Sequence, residues 1–402
     1  MLGLGAASAE LTGPLLEALE RRKDVAVELR HRLHRMPDVS GDEGPTRDAV
    51  LGALPPGVVT PVAETGALVR IGASGPAIGV RGELDGLRLT ERSGVEWASE
   101  RQDAMHACGH DIHLAAVVAL SHAVADTPGA PPLAVVLQPR EESYPSGAQD
   151  IVKSGVLLDN HVTAMVGAHV QPSLKPGVIA CTPGAVNAAA DEFQVTVRGC
   201  GGHAAYPHLT RDPVLALAHV VVALQQVVGR NTDPTNSAVV SVSTLSAGDA
   251  ANVIPDVATA RGTVRSMSEH TRTYLHRRIR EVAEWVAQAH ECSAEVDITS
   301  GEPVLVNEPA IVGPASEHLR HFGFRVDSDL RSFGADDFSF YPEQVPALMM
   351  FVGVDGRGAG LHHPEFAPDD AAVMDVARTL LAGYLAAADL SSLTTSASEG
   401  PR

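Results

Sequence analysis

At 402 residues the chain exceeds one ordinary hydrophobic core, and roughly 100–200 residues per domain predicts two domains or three. A composition of 45 % hydrophobic and 20 % charged residues excludes a largely disordered protein, and 49 acids against 30 bases, a formal charge of −19, disfavour nucleic acid or an anionic membrane as partner. Four cysteines are too few for a disulfide framework, and no apolar run reaches the ~18 residues of a membrane span. The first ten residues lack the basic start and apolar length of a secretory signal, so a cytoplasmic protein is expected. In chain order, Leu15, Leu16, Leu19, Val25, Leu29 and Leu33 fall mostly on one face and predict a helix over residues 14–35, stopped by Pro37. Apolar runs at 77–80, 133–137, 164–167 and 348–352 read as buried strands, and 112–124 as a helix.

The period changes in the middle of the chain. Phe193, Val195 and Val197 alternate with polar residues, as in a half-exposed strand. A helix over 212–228, strands at 238–245 and 257–264, a helix over 269–290 and a strand at 294–298 follow. This β-α-β-β-α-β order is a split βαβ, ferredoxin-like α+β unit lying inside an α/β pattern. The expected fold is therefore α/β: a discontinuous domain with a mixed, largely parallel sheet over residues 1–187 and 304–402, interrupted by an inserted domain over 188–303. The Ser/Thr/Gly-rich stretch 391–402 reads as a frayed tail.

Four stretches carry candidate chemistry. In Met105-His106-Ala107-Cys108-Gly109-His110-Asp111-Ile112-His113, Cys108 and His110 can both reach a metal from one tight turn that Gly109 permits. Alone, the pair reads as readily as a buried thiol beside an incidental imidazole. Glu141 and Glu142 follow an apolar strand; adjacent carboxylates are often a solvated turn, but one can ligate a metal while the other moves a proton. His169 and His362 lie near the ends of two further strands, where a lone histidine is commonly structural. Together, Cys108, His110, Glu142, His169 and His362 fall near the carboxyl ends of sheet strands, where open α/β sheets build their sites. Five mixed donors exceed the four of a closed structural zinc site, so two metals sharing a bridge are expected. Asp85 or Glu83, after the strand at 77–80, can accept an N–H from a ligating imidazole or cap a turn.

These motifs, taken in order, resemble the dinuclear-metal amidohydrolases of the aminoacylase and carboxypeptidase G group. The likeness is greatest to the branch of hippurate hydrolases, N-acyl-amino-acid deacetylases and indole-acetyl-amino-acid hydrolases. It begins at Leu33-His34-x-x-Pro37-Asp38 and Glu43 and runs through Arg81-x-x-x-Asp85, the Met105–His113 block, Gln138-Pro139-x-Glu141-Glu142 and His169-Val170-Gln171-Pro172. Gly199-x-Gly201-Gly202-His203, Asn252-Val253-Ile254-Pro255-Asp256 and Gly262-Thr263-Val264-Arg265 carry it through the insert. Gly334-Ala335-Asp336-Asp337-Phe338 and Leu361-His362-x-Pro364 complete it.

The resemblance implies the roles. Cys108, His110, Glu142, His169 and His362 match ligands of two divalent ions; zinc, manganese and cobalt all suit this donor set. Glu141 matches the general base that activates a water between the metals, and Asp85 the supporting carboxylate. The insert serves relatives as lid and dimer surface, so a homodimer is expected. His203 matches a histidine that reaches the substrate carbonyl, in the same subunit or across the dimer, and Asn252 and Arg265 match groups that hold the substrate carboxylate. The implied reaction is hydrolysis of N-acyl amino acids. A dipeptidase or carboxypeptidase of the same mechanism and a non-catalytic acyl-amino-acid-binding homologue remain alternatives. Glu83-x-Asp85 stands where the family has Asp-x-Asp, Arg88 where it has Pro, and Asp336 where it has Glu. Arg140 replaces a small residue and is expected to add charge near the metals. His106, His113 and His208 lie inside motifs, where a structural role is the commoner reading and a supporting or substrate role the alternative, and His122, His219, His276, His290, His318 and His321 read as structural helix residues. Cys181, Cys200 and Cys292 read as packed thiols.

Overall fold

The apolar runs assemble into an eight-stranded sheet in the computed structural model, which describes residues 6–398. Its order is Val58–Val62, Gly66–Ile71, Leu133–Gln138, Ala77–Glu83, Val162–Gln171, Ala347–Gly353, Val178–Ala180, Arg325–Asp327. The four strands at its centre are mutually parallel; Gly66–Ile71 and Val178–Ala180 join them antiparallel on either side, with Val58–Val62 antiparallel and Arg325–Asp327 parallel to those neighbours at the edges. Strand residues from Ala77 to Glu83 and from Leu133 to Gln138 are buried throughout, as a sheet covered on both faces requires. Because the central strands run the same way, the segments after Glu83 and Gln138, the His169 end of its strand, and the segment after Gly353 reach one edge together.

The helix His110–Ala125 and the long helix Ala371–Ser398 supply much of the core against this sheet. The expected helix over 14–35 is two helices, Ala6–Glu20 and Lys23–Arg35. Pro14 lies inside the first, and the Arg22 N–H bonds the Leu19 carbonyl in a turn that lets Leu15 and Leu19, then Leu29 and Leu33, all reach the core. The tail expected from 391 is instead helical through Ser398; residues 399–402, and residues 1–5 of the N-terminal stretch, lie outside the described residues.

The chain divides into two compact units: Met1–Gly184 with Val306–Leu330 and Asp337–Arg402, and Ala185–Leu305 with Arg331–Asp336. Residues 331–336, expected in the first, group with the second. The second unit holds a four-stranded antiparallel sheet in the order Ala238–Ala247, Val257–Ser266, Ala189–Arg198, Ser293–Ser300. Phe193, Val195 and Val197 pack with Leu217, Val220, Leu275 and Ile279 of two helices, Pro213–Asn231 and Glu269–Ala289. Asp212 and Ser268 cap those helices by accepting their first free N–H groups. By length and composition alone, Pro213–Asn231 and Ala371–Ser391 could each cross a membrane. The latter is a core helix, and the former packs one face on its sheet.

Candidate metal centre

Cys108 and His110 leave the chain on either side of Gly109, whose φ of +84° turns the backbone into the helix His110–Ala125. A Cβ on Gly109 would come within 2.6 Å of Val170 Cγ2, so both the turn and the close approach require glycine. His110 donates Nδ1–H to the Asp85 carbonyl at 2.8 Å, which leaves its buried Nε2, without a hydrogen-bond partner, as the nitrogen that can take a metal. His169 donates Nδ1–H to the Val170 carbonyl at 2.7 Å, and its Nε2 lies 3.4 Å from Cys108 Sγ. One donor atom each from Cys108, His110 and Glu142 falls within 4.8 Å of the others. His362, at φ +63°, sets Nε2 3.1 Å from Glu142 Oε1, and its own N–H is held by the Ala107 carbonyl. Glu141 Oε2 stands 3.6 Å from His110 Nε2. All seven predicted residues of the first unit are thus brought together.

The electrostatics suit a cation at this spot. Burial, and then the nearby Glu142 and Glu141, push the Cys108 thiol well above its ordinary range. Burial alone would lower the His110 pKa, but the carboxylates of Asp85, Glu83 and Glu142 outweigh it and push it up to about 10. The Glu142 contact likewise raises His362. These groups together favour added positive charge and resist added negative charge. An imidazole nitrogen without a hydrogen-bond partner, a second imidazole beside a thiol, and a carboxylate form a donor set that fits a divalent transition metal.

The loop that carries Glu141 and Glu142 is held from several sides. Asp85 Oδ2 accepts the Glu142 N–H at 3.0 Å and the Ser40 hydroxyl at 2.7 Å. The ring of His110 uses the Asp85 backbone carbonyl, while the carboxylate stands 3.6 Å away. Burial would raise the Asp85 pKa, yet contact with His110 and the Glu142 N–H holds it below the usual carboxylate range. Glu43, fully buried, accepts the Arg140 N–H at 2.9 Å and the Thr65 hydroxyl. Sequence reasoning quoted Glu43 without a role, because its partner lies 97 residues away. Arg140 corrects the expectation of charge added near the metals. Its guanidinium is spent on Asp150 and Glu64, with the Pro145 carbonyl on Nε. Asp337, another residue without an assigned role, accepts from Arg81, Gln138, Ser146 and the Ala148 N–H. Of the other cysteines Cys181 and Cys292 are buried, whereas Cys200 is exposed; all four are free thiols.

His203, Asn252 and Arg265 belong to the second unit. His203 pairs with Val253 in a two-residue bridge, and the Ala204 N–H bonds the Asn252 carbonyl, so the first two are neighbours. Arg265 lies opposite Ala190, where the chain enters the unit, with Nη1 on the Phe333 carbonyl. The strand Val257–Ser266, which follows the bridge, separates them: Val257 to Arg265 is ~26 Å along an extended chain. Within one subunit they sit at opposite ends of the sheet.

Residues 79–385 match the model of peptidase family M20/M25/M40. The chain is 32 % identical over 366 residues to the N-acetyl-L-cysteine deacetylase of Bacillus subtilis strain 168, covering 89 % of this chain and 86 % of that protein. It is 32 % identical over 356 residues to an N-acetyldiaminopimelate deacetylase of Exiguobacterium sibiricum, covering 87 % and 96 %. Among solved structures, the Bacillus subtilis YXEP protein, described as a dinuclear metal binding peptidase from the M20 family, superposes with a TM-score of 0.81. That match is 27 % identical and covers 91 % of this chain and 98 % of the other. With a donor cluster at the sheet edge and this extent of likeness, the chain belongs to peptidase family M20/M25/M40.

Proposed function

We propose that the protein is a metal-dependent amidohydrolase that cleaves the amide bond of N-acyl amino acids, with Glu141 as its proton carrier. The observation that carries this reading is Glu141 Oε2 placed 3.6 Å from His110 Nε2, a nitrogen with no hydrogen-bond partner, beside a thiol, a second imidazole and a second carboxylate. Two relatives named as deacetylases of N-acetylated amino acids support the substrate class. Cys108, His110, Glu142, His169 and His362 would hold two divalent ions, of which zinc, manganese and cobalt suit the donors. When bound, such ions polarise a carbonyl oxygen and make a nearby water acidic enough to lose a proton at neutral pH. Glu141 accepts that proton and returns it to the nitrogen of the leaving amine. Asp85 keeps the Glu141–Glu142 backbone in register and backs the His110 ring.

His203 donates to the carbonyl oxygen as negative charge develops there, and Arg265 takes the substrate carboxylate in a charge-assisted pair. Asn252 adds an amide next to His203. Val257, which follows the His203–Asn252 bridge, stands ~26 Å from Arg265 along the extended strand, far longer than an N-acyl amino acid, so one substrate does not span both ends within a single subunit. The protein therefore works as a homodimer, with His203 and Asn252 supplied to the site of the partner. Four free thiols, one of them a proposed ligand, accord with the reducing cytoplasm.

The deciding experiment replaces Glu141 with Gln. Hydrolysis of N-acetyl amino acids should fall by roughly 10²–10⁴-fold with metal content unchanged. Near wild-type hydrolysis in the metal-loaded variant would overturn the assignment.

A further inference from the structure

Four buried side chains, Glu83, His110, His113 and His169, offer donor atoms within 4.8 Å of one another. By spacing alone His113 is as good a ligand as His110: it lies one helical turn on, is 1 % exposed, and its ring centre is 4.6 Å from that of His169. Its hydrogen bonds assign it elsewhere. The backbone N–H of Val170 points at His113 Nε2 from 3.0 Å. A peptide N–H can only donate, so Nε2 is an acceptor and the proton of the neutral ring sits on Nδ1. That Nδ1–H meets Glu83 Oε2 at 3.2 Å, and Glu83 Oε1 is held by Arg81 Nη1 at 3.0 Å. Both nitrogens of His113 are in use.

What they hold is the residue Val170. Its carbonyl accepts the Nδ1–H of His169 and so leaves the Nε2 of that ring toward Cys108. Its side chain fills the space over Gly109, in the turn between Cys108 and His110. Its N–H is the handle that His113 grips. One fully buried residue therefore touches the mounts of three predicted ligands, and the chain Arg81–Glu83–His113 fixes its orientation. We infer that His113 is a positioning residue: as an Nδ1–H tautomer set by Glu83, it clamps the Val170 peptide and thereby aims His169 at the metal. Glu83, which replaces a family aspartate, has the side-chain length to meet Arg81 with one oxygen and His113 with the other. The inference rests on the reading of Cys108, His110 and His169 as metal ligands.

The test uses two amides that each keep half of the ring. In His113→Gln the side-chain carbonyl reaches the place of Nε2 and can accept from Val170. In His113→Asn the shorter amide reaches only the place of Nδ1 and leaves the Val170 N–H without its acceptor. Full-length proteins are stripped of metal and titrated with Mn²⁺ or Zn²⁺ against a chromophoric chelator. The Gln variant should keep wild-type affinity, and the Asn variant should bind about 10–100-fold more weakly. Equal affinities for the two variants, or a loss confined to Gln, would overturn the inference while leaving the metal reading intact. Wild-type protein that binds no metal would remove both. If the variants do not fold, ¹⁵N NMR of histidine-labelled wild type decides the matter: a protonated Nδ1 with a bare Nε2 on His113 is expected, and a protonated Nε2 refutes the clamp.

Discussion

Gly147 closes the loop that carries Glu141 and Glu142, and it offers a steric test of how closely that loop must be placed. It begins the helix Gly147–Ser154, with its N–H 3.3 Å from the Arg140 carbonyl. The Cβ of an alanine there would stand 1.7 Å from the Pro139 carbonyl oxygen and 2.7 Å from its carbon. The two backbone segments must part by roughly 1.5 Å to regain ordinary contact. Neither is free to yield, because the Arg140 N–H is tied to Glu43 and the Ser146 hydroxyl to Asp337. Overpacking of this kind costs about 1–3 kcal/mol of stability. A shift above ~1 Å at catalytic groups costs about 100-fold or more in rate. Gly147→Ala should therefore lower the urea midpoint and reduce kcat/KM on an N-acetyl amino acid by about two orders of magnitude. Gly229→Ala is the control: nothing lies within 4 Å of its added Cβ inside the helix Pro213–Asn231, so it should gain about 0.5–1 kcal/mol and leave kcat/KM alone. Wild-type kcat/KM in Gly147→Ala would refute the claim that this loop geometry governs the reaction.

Burial alone would lower the His34 pKa, but Asp111 and Glu91 on its two ring nitrogens outweigh it and push it up to about 9. That stabilisation, on the order of 3 kcal/mol, is complete below the ordinary value near 6.5 and is lost as pH rises through 9. Urea titrations at pH 6 and 9.5 should show this loss in wild type and not in His34→Asn; parallel pH profiles would disprove it. Asp337→Ala strips the shared acceptor from the buried Arg81, Gln138 and Ser146 and should cost about 3–5 kcal/mol in chemical unfolding, a neutral result being incompatible with that network. Subunit exchange between inactive Glu141→Gln and His203→Ala proteins should recover about a quarter of wild-type activity, since half the dimers are mixed and each has one complete site; no recovery contradicts a shared site. Chelation should abolish hydrolysis while far-UV circular dichroism stays unchanged, because protein contacts rather than metal hold the donors.

The parts legible from sequence are those that local chemistry writes. Strands at 77–80, 133–137, 164–167 and 348–352 are short apolar runs, and the β-α-β-β-α-β order follows from a visible change of period at Phe193. Cys108, His110, Glu142, His169 and His362 could be picked out because each is a metal-type side chain beside a strand end, and a parallel sheet gathers such ends. The helix Ala371–Ser398 escaped because it is apolar around most of its circumference. Val373, Val376, Leu380, Leu381, Tyr384 and Leu385 are all buried, so no amphipathic stripe marks it. Strands of three residues such as Val178–Ala180 are too short to show a period. The partners of Glu43, Arg140 and Asp337 are set by folding across separations of up to 256 residues, which no local pattern encodes.

The distribution of buried charge explains how a protein of net charge −19 prepares a cluster that calls for cations. Three arginines are buried in the first unit, each already engaged with carboxylates outside the ligand set. Arg30 meets Asp111 and Asp370, Arg81 meets Glu83 and Asp337, and Arg140 meets Asp150 and Glu64. Each pair adjoins a mount of the site: Asp111 follows His110, Glu83 holds His113, and Arg140 precedes Glu141. Leaving any of the three buried guanidinium groups unpaired would cost several kcal/mol, so the pairs set the backbone around the donors. The arginine charge is consumed in that task. Glu142 and Asp85 are then balanced by imidazoles whose pKa values are driven upward, a compromise that divalent ions relieve when they bind. A site arranged in this way is built before its metals arrive, and their binding energy is available for holding charge rather than for folding the loops.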